Sequence, residues 1–152
     1  MKARIVIGAL TLSASALVGI AVHEGYRGEA YTPVKGDVPT LGYGTTDGVK
    51  PGDTIEPVQA LVRKLQDVQK FEGALKQCVR VPLHQHEYDA FLSLAYNIGP
   101  GAFCGSTLVR RLNAGDYAGA CAEILRWDRF RGEPLRGLTL RRQAENRQCL
   151  GQ

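Results

Sequence analysis

Residues 23–44 read HEGYRGEAYTPVKGDVPTLGYG, and the change of pattern across this stretch sets the architecture of the chain. Five glycines and two prolines fall within residues 25–44 among short β-like runs. Such spacing of turn residues predicts a small β-hairpin or three-stranded subdomain between residues 25 and 50. On its N-terminal side lies an apolar segment. On its C-terminal side, after the breaker Pro51-Gly52-Asp53, the hydrophobic period becomes helical.

Val58, Leu61, Val62, Leu65, Val68 and Leu75 predict a long amphipathic helix over about 55–77. Val79–Pro82 breaks it. A second helix over about 84–97 carries Tyr88, Phe91, Leu92, Ala95 and Tyr96 on its buried side, with Asn97 placed to cap its C-terminus and Gly99-Pro100-Gly101 to stop it. Ser106 and Asp116 are N-cap residues for two more helices separated by Asn113-Ala114-Gly115, and a last helix runs from about Leu138 to Gln148. The fold class is therefore mixed α+β, mostly helical. A chain of 152 residues can bury about two-thirds of its unfolded surface in one core, so one domain acting as a monomer is expected.

The net charge is +4 and the pI about 9.0, which points to an anionic partner. Between Arg110 and Arg147 there are nine arginines against five acids. They are scattered through helical segments without interleaved aromatics or a reading motif, which argues against nucleic acid; for any one arginine, a solvated basic face is the plain alternative. No GxxxxGK[ST] or GxGxxG accompanies the glycines, so phosphate cradling is not their role. Cys78, Cys104, Cys121 and Cys149 lack the CxxC spacing of a zinc or redox site. An even count behind an export-like segment predicts two disulfides formed in an oxidising compartment. Three pairings are possible; two short antiparallel helices between Cys104 and Cys121 favour that pair, leaving Cys78 for Cys149.

Lys2 and Arg4 precede eighteen uncharged residues, Ile5–Val22, the pattern of a segment inserted with its basic end in the cytoplasm. Eighteen residues just span a bilayer core. Only nine of them are strongly apolar, contributing roughly −3 to −5 kcal/mol in all, which makes a weak anchor. A signal peptide cut near Ala14-Ser15-Ala16 is the alternative, but it would leave only seven residues before Glu24, too few for a helix to carry it.

Glu24, Asp37 and Thr40 are the candidate catalytic residues. Cleaving a glycosidic bond generally takes one carboxylic acid to protonate the leaving oxygen and a second carboxylate to activate water. Glu24 lies between an apolar segment and Gly25, surroundings that favour a protonated acid. Read alone, it would be an ordinary surface residue at a helix end. Asp37 follows Gly36 in a turn, where an Asp usually bonds its own backbone, and Thr40 could be β-branched for strand reasons only. Glu29 and Glu72 read as solvated carboxylates. His84 and His86, two apart at a helix start, would face different sides and make a poor metal pair; no metal or other cofactor is expected.

Taken together, Glu24-Gly25, Tyr31, Thr40 and Gly42-Tyr43-Gly44 resemble the phage-type lysozymes of glycoside hydrolase family 24. The likeness extends through Ala95-Tyr96-Asn97-Ile98-Gly99, Ser106-Thr107-Leu108, Asn113-Ala114-Gly115-Asp116, Arg126-Trp127, Arg136-Gly137-Leu138 and Arg141-Arg142. It implies a lysozyme-like fold, with a small β subdomain and a helical lobe flanking a cleft. It also implies an inverting hydrolase in which Glu24 is the acid, Asp37 and Thr40 position water, and Tyr31, Asn97 and Arg126 contact the sugar. The chain departs from the family at Pro33, where the usual Asp would stand, and Asp37 is the nearest acid. That departure is the only support for a non-catalytic wall-binding protein on the same scaffold. The layout further resembles signal-anchor-release endolysins. It implies residues 1–22 as the anchor segment, with 5–22 in the host inner membrane before release to the periplasm, residues 23–152 as the catalytic domain, and peptidoglycan as substrate.

Overall fold

A computed structural model describes residues 2–152, which divide into two compact units: Leu17–Lys70, and the residues up to Ala16 together with Phe71–Gln152. In the first, strand β1 (Arg27–Tyr31) pairs antiparallel with β2 (Thr40–Gly42), with Arg27 opposite Gly42 and Tyr31 opposite Thr40. More residues lie between these partners on β1 than on β2, so the ladder is irregular between them. The free edge of β1 takes two further bonds, Ala30 N to Asp53 O at 2.9 Å and Ile55 N to Gly28 O at 2.9 Å. The subdomain is thus a two-stranded sheet with a single bridge, Glu29 to Thr54, in place of a third strand.

Helix α1 (Ala14–Glu24) leads into this unit and α2 (Pro57–Cys78) leaves it. Ser13 caps α1, its Oγ accepting from Ala16 N at 3.1 Å. Gly25 N bonds Ala21 O at 3.0 Å where α1 ends. Pro57 opens α2, a position where the missing N–H costs nothing. The expected helix is present, with Val68 and Leu75 of the expected set buried, but Val58 and Val62 lie off its buried stripe. Val58 and Val62 are 75% and 52% exposed, whereas Ala60, Lys64, Val68, Glu72 and Leu75 are buried at steps of three and four residues. Two charged side chains lie in that stripe. Glu72 is not solvated: its Oε1 accepts from Tyr88 Oη at 2.7 Å and from Leu12 N at 2.8 Å. Burial, with Glu72 reinforcing it, holds the Tyr88 phenol protonated far above its ordinary range.

The second unit is built around α3 (Gln85–Ile98), in which every residue from Glu87 to Ala95 is buried. A helix enclosed on all sides tolerates acids only where each finds a partner. Glu87 closes the N-terminus by accepting from His84 N at 2.8 Å and pairs with Arg4 through bonds of 2.8 and 3.0 Å. Asp89 accepts from Ser13 Oγ at 2.6 Å. Residues 4–13 are thereby docked on this unit, with Ile5 and Leu83 exchanging two backbone bonds and a 3-10 turn at Ile7–Ala9 before buried Leu10. His84 and His86 do not face opposite sides; their rings stack at 5.2 Å, because His84 is an N-cap in extended conformation and not yet on the helix.

Four further helices complete the unit: α4 (Pro100–Cys104), α5 (Thr107–Asn113), α6 (Tyr117–Glu123) and α7 (Arg136–Cys149). Ser106 and Asp116 cap α5 and α6, accepting from Val109 N and Gly119 N. The latter bond, with Arg111, holds the Asp116 carboxyl below the ordinary carboxylate range. The C-cap of α3 is Gly99, not Asn97. A short hairpin, β3 (Arg129–Phe130) with β4 (Glu133–Pro134), precedes α7; no sequence signal marked it.

Both disulfides form, with pairing other than expected: Cys78 to Cys104 and Cys121 to Cys149, at Cα separations of 5.6 and 5.7 Å. Cys104 ends α4, before the α5–α6 hairpin begins. It lies against the end of α2, while Cys121 on α6 meets Cys149 on α7. Loops of 26 and 28 residues predict about 3.5 kcal/mol from each bridge. Thiol titration of unreduced, denatured protein should detect no free thiol, and reduction should lower the urea midpoint; four titratable thiols would refute this.

Candidate active site

The Leu17–Lys70 unit holds all three candidate catalytic residues. Glu24 is the last residue of α1, half-buried. Its Oε2 lies 3.1 Å from the point that a Cβ on Gly44 would occupy, and Lys64 Nζ lies 3.6 Å from the same point. Gly44 has φ +85°, so both its conformation and the adjoining carboxyl require glycine there. Gly42, with φ +63°, lets the strand approach α2 so closely that a Cβ would come within 2.8 Å of Ala60 Cβ. The intervening turn is locked by Leu41 and Thr45, which exchange backbone bonds of 2.9 and 3.0 Å. Thr45 Oγ1 donates to Asp67 Oδ2 on α2 at 2.5 Å.

Thr40 is buried at the start of β2, directly across from Tyr31, and its Oγ1 donates to Val38 O at 3.3 Å. Asp37 lies on the exposed loop between the strands. Its Oδ1 accepts from Val38 N at 2.9 Å. Tyr31 also stacks under Arg27, whose guanidinium carbon is 4.9 Å from the ring centroid. Beside the turn, Tyr26 and Tyr43 rings meet at 5.4 Å.

The other two expected sugar contacts belong to the Phe71–Gln152 unit. Asn97, exposed near the end of α3, has its Oδ1 held by Arg142 Nη1 at 2.9 Å. Arg142 is itself fully buried and anchored to Glu145, at 2.7 Å through Nε and 3.0 Å through Nη2. Burial draws its pKa down, with Glu145 opposing. Glu145 also accepts from Ser93 Oγ at 2.7 Å and Arg141 Nε at 3.1 Å. Arg126, exposed, pairs with Glu123 at 3.2 Å at the edge of a shallow pocket that also includes Thr107 and Trp127. Sequence reading missed Lys64, Thr45, Asp67 and Glu145. Only Lys64 had a usable signal, four residues from both Ala60 and Val68 on one helical stripe.

A half-buried glutamate ending a helix beside a glycine turn, in a small β unit of a mostly helical chain, defines the lysozyme-like class of glycosidase. Residues 21–145 match the phage lysozyme family, and the chain belongs to it. It is an enzyme, a peptidoglycan-hydrolysing lysozyme. The chain is 43% identical over 138 residues to the endolysin of Acyrthosiphon pisum secondary endosymbiont phage 1, covering 88% of this chain and 94% of that one. It is 37% identical over 141 residues to the SAR-endolysin of Pseudomonas phage phiKMV, covering 90% and 87%. Among solved structures, the endolysin from Escherichia coli O157:H7 phage FAHEc1 superposes with a TM-score of 0.84 at 38% identity, over 94% of this chain and 95% of that one.

Proposed function

We propose that Glu24 is the general acid of an inverting muramidase that cuts the β-1,4 bond between N-acetylmuramic acid and N-acetylglucosamine, with Asp37 and Thr40 positioning water on the opposite face of the sugar. The observation that carries the reading is the placement of Glu24 at the end of α1, against the Gly42–Gly44 turn, in the same unit as buried Thr40. Inversion needs room for water, which sets the two carboxyls about 6.5–9.5 Å apart in the productive complex. Tyr31, Asn97 and Arg126 contact the glycan. Release of the α-anomer, followed by NMR on short peptidoglycan fragments, is the expected stereochemical result. Thr40→Ala should abolish turnover and Asp37→Ala should reduce it about 10²-fold or more. An Asp37→Ala enzyme with nearly the wild-type rate would remove Asp37 from the catalytic set.

The same protein first resides in the host inner membrane through residues 5–22 and then enters the periplasm, acting there as a monomer without nucleic acid. The SAR-endolysin relative and the weak apolarity of the segment support this. None of the helices among the described residues is long and apolar enough to cross a membrane; here the segment is folded instead, with Leu10 and Ile20 buried. Helix begins only at Ala14, so cleavage after Ala16 would cut through α1. Fractionation of expressing cells with and without a depolarising agent should show full-length protein moving from membrane to soluble periplasm as lysis begins. A mature chain starting near Leu17 would identify a signal peptide instead.

A further inference from the structure

Lys64 is 0% exposed, and its position on α2 is fixed from both sides along the helix. Ala60, one turn earlier, abuts Gly42. Asp67, three residues later, is bonded to Thr45. The ammonium is therefore delivered to the same point beside Gly44 that Glu24 Oε2 approaches. A lysine withdrawn from water keeps its charge only where an opposite charge or acceptors replace the solvent, and a carboxylate at close range is the strongest such replacement.

Resting on the assignment of Glu24 as general acid, we propose that Lys64 is a positioning residue for that carboxyl: its buried ammonium holds Glu24 against the Gly42–Gly44 turn. Gly44 contributes by leaving the space between the two groups open, since a Cβ there would meet both. Of the other titratable groups, His23 precedes Glu24 on α1, Tyr43 precedes Gly44 in the turn and Asp67 lies three residues beyond Lys64 on α2. Asp67 is already engaged by Thr45 and, at 4.0 Å, by Lys70.

The effect follows from position. Lysis of purified peptidoglycan should be followed for wild type, Lys64→Met and Lys64→Arg. Lys64→Met should lower kcat about 10-fold or more with KM near wild type, and Lys64→Arg, which keeps the cation, should recover most of that loss. A Lys64→Met enzyme with the wild-type kcat overturns the proposal, as does a Lys64→Arg enzyme that melts like wild type and is as slow as Lys64→Met.

Replacing a buried lysine can cost folding, so a second measurement leaves Lys64 intact. Nitrogen-15 NMR at a single neutral pH should show the Lys64 Nζ resonance displaced in Glu24→Gln from its wild-type position. An unchanged Nζ resonance also overturns the proposal. Retained lysis in Glu24→Gln would instead sink the catalytic assignment of Glu24, whatever Lys64 does.

Discussion

Replacing Glu24 by Gln is expected to lower the rate of peptidoglycan lysis about 10²–10⁴-fold, the contribution of a positioned general acid, with the circular dichroism spectrum unchanged. The substitution keeps the size and most of the hydrogen-bonding shape of the side chain and removes the transferable proton together with the negative charge. Its surroundings are built by backbone bonds and one side-chain bond: α1 ends at Glu24, Gly25 N closes the last turn on Ala21 O, Leu41 and Thr45 lock the Gly42–Gly44 turn, and Thr45 Oγ1 donates to Asp67. None of those contacts depends on the acid oxygen. A turbidity assay on purified peptidoglycan reads the result directly, and a rate near wild type would return the chain to the class of wall-binding proteins that merely share the scaffold.

The second large effect concerns stability. Glu145→Ala should destabilise the fold by about 3–5 kcal/mol, the usual cost of removing one partner of a buried ion pair. Glu145 is 2% exposed and accepts from Ser93, Arg141 and Arg142. Its removal leaves Arg142, fully buried, with Asn97 and the Trp127 carbonyl as its remaining acceptors. A domain of this size loses roughly 2–4 °C of thermal midpoint per kcal/mol, so a drop of about 10 °C is expected in a melting experiment. Ser93→Ala, which deletes one neutral donor, should cost only about 1 kcal/mol. A Glu145→Ala melting point within a degree of wild type would show that the two arginines do not depend on this carboxylate.

Much of the fold was legible where a single residue type does one local job. Ser106 and Asp116 announced helix starts because a short side-chain acceptor satisfies an N–H that the helix leaves open. The glycine and proline density of residues 25–44 marked the β unit for a similar local reason. The buried face of α2 was misread at Val58 and Val62, which advertise hydrophobicity but are exposed, while the structure buries Lys64 and Glu72, the latter through partners distant in sequence, Tyr88 and Leu12. The apolar stripe hints at Lys64, between Ala60 and Val68, but periodicity in apolar residues does not identify the partner of a buried charge. The cysteine pairing failed for a related reason: which helix ends meet is a property of packing, and the α5–α6 hairpin does not contain Cys104. At the candidate site, the family motif placed Glu24 and Thr40, and the register of β1 and β2 then set Thr40 beside Tyr31. Asp37 lies on a loop whose geometry no local pattern specifies.

Both disulfides close loops lying wholly within Phe71–Gln152. Leu17–Lys70, which carries Glu24, Asp37 and Thr40, has no covalent tie of its own. Leu17–Lys70 can therefore open and reclose locally without any bond being made or broken, and its local opening is set by packing and hydrogen bonds alone. Thiol reagents and proteases consequently find different targets in one molecule. Reductants loosen the scaffold, while proteases meet the exposed loop of residues 32–38 first, so the enzyme can be silenced by nicking with its cross-linked frame still standing.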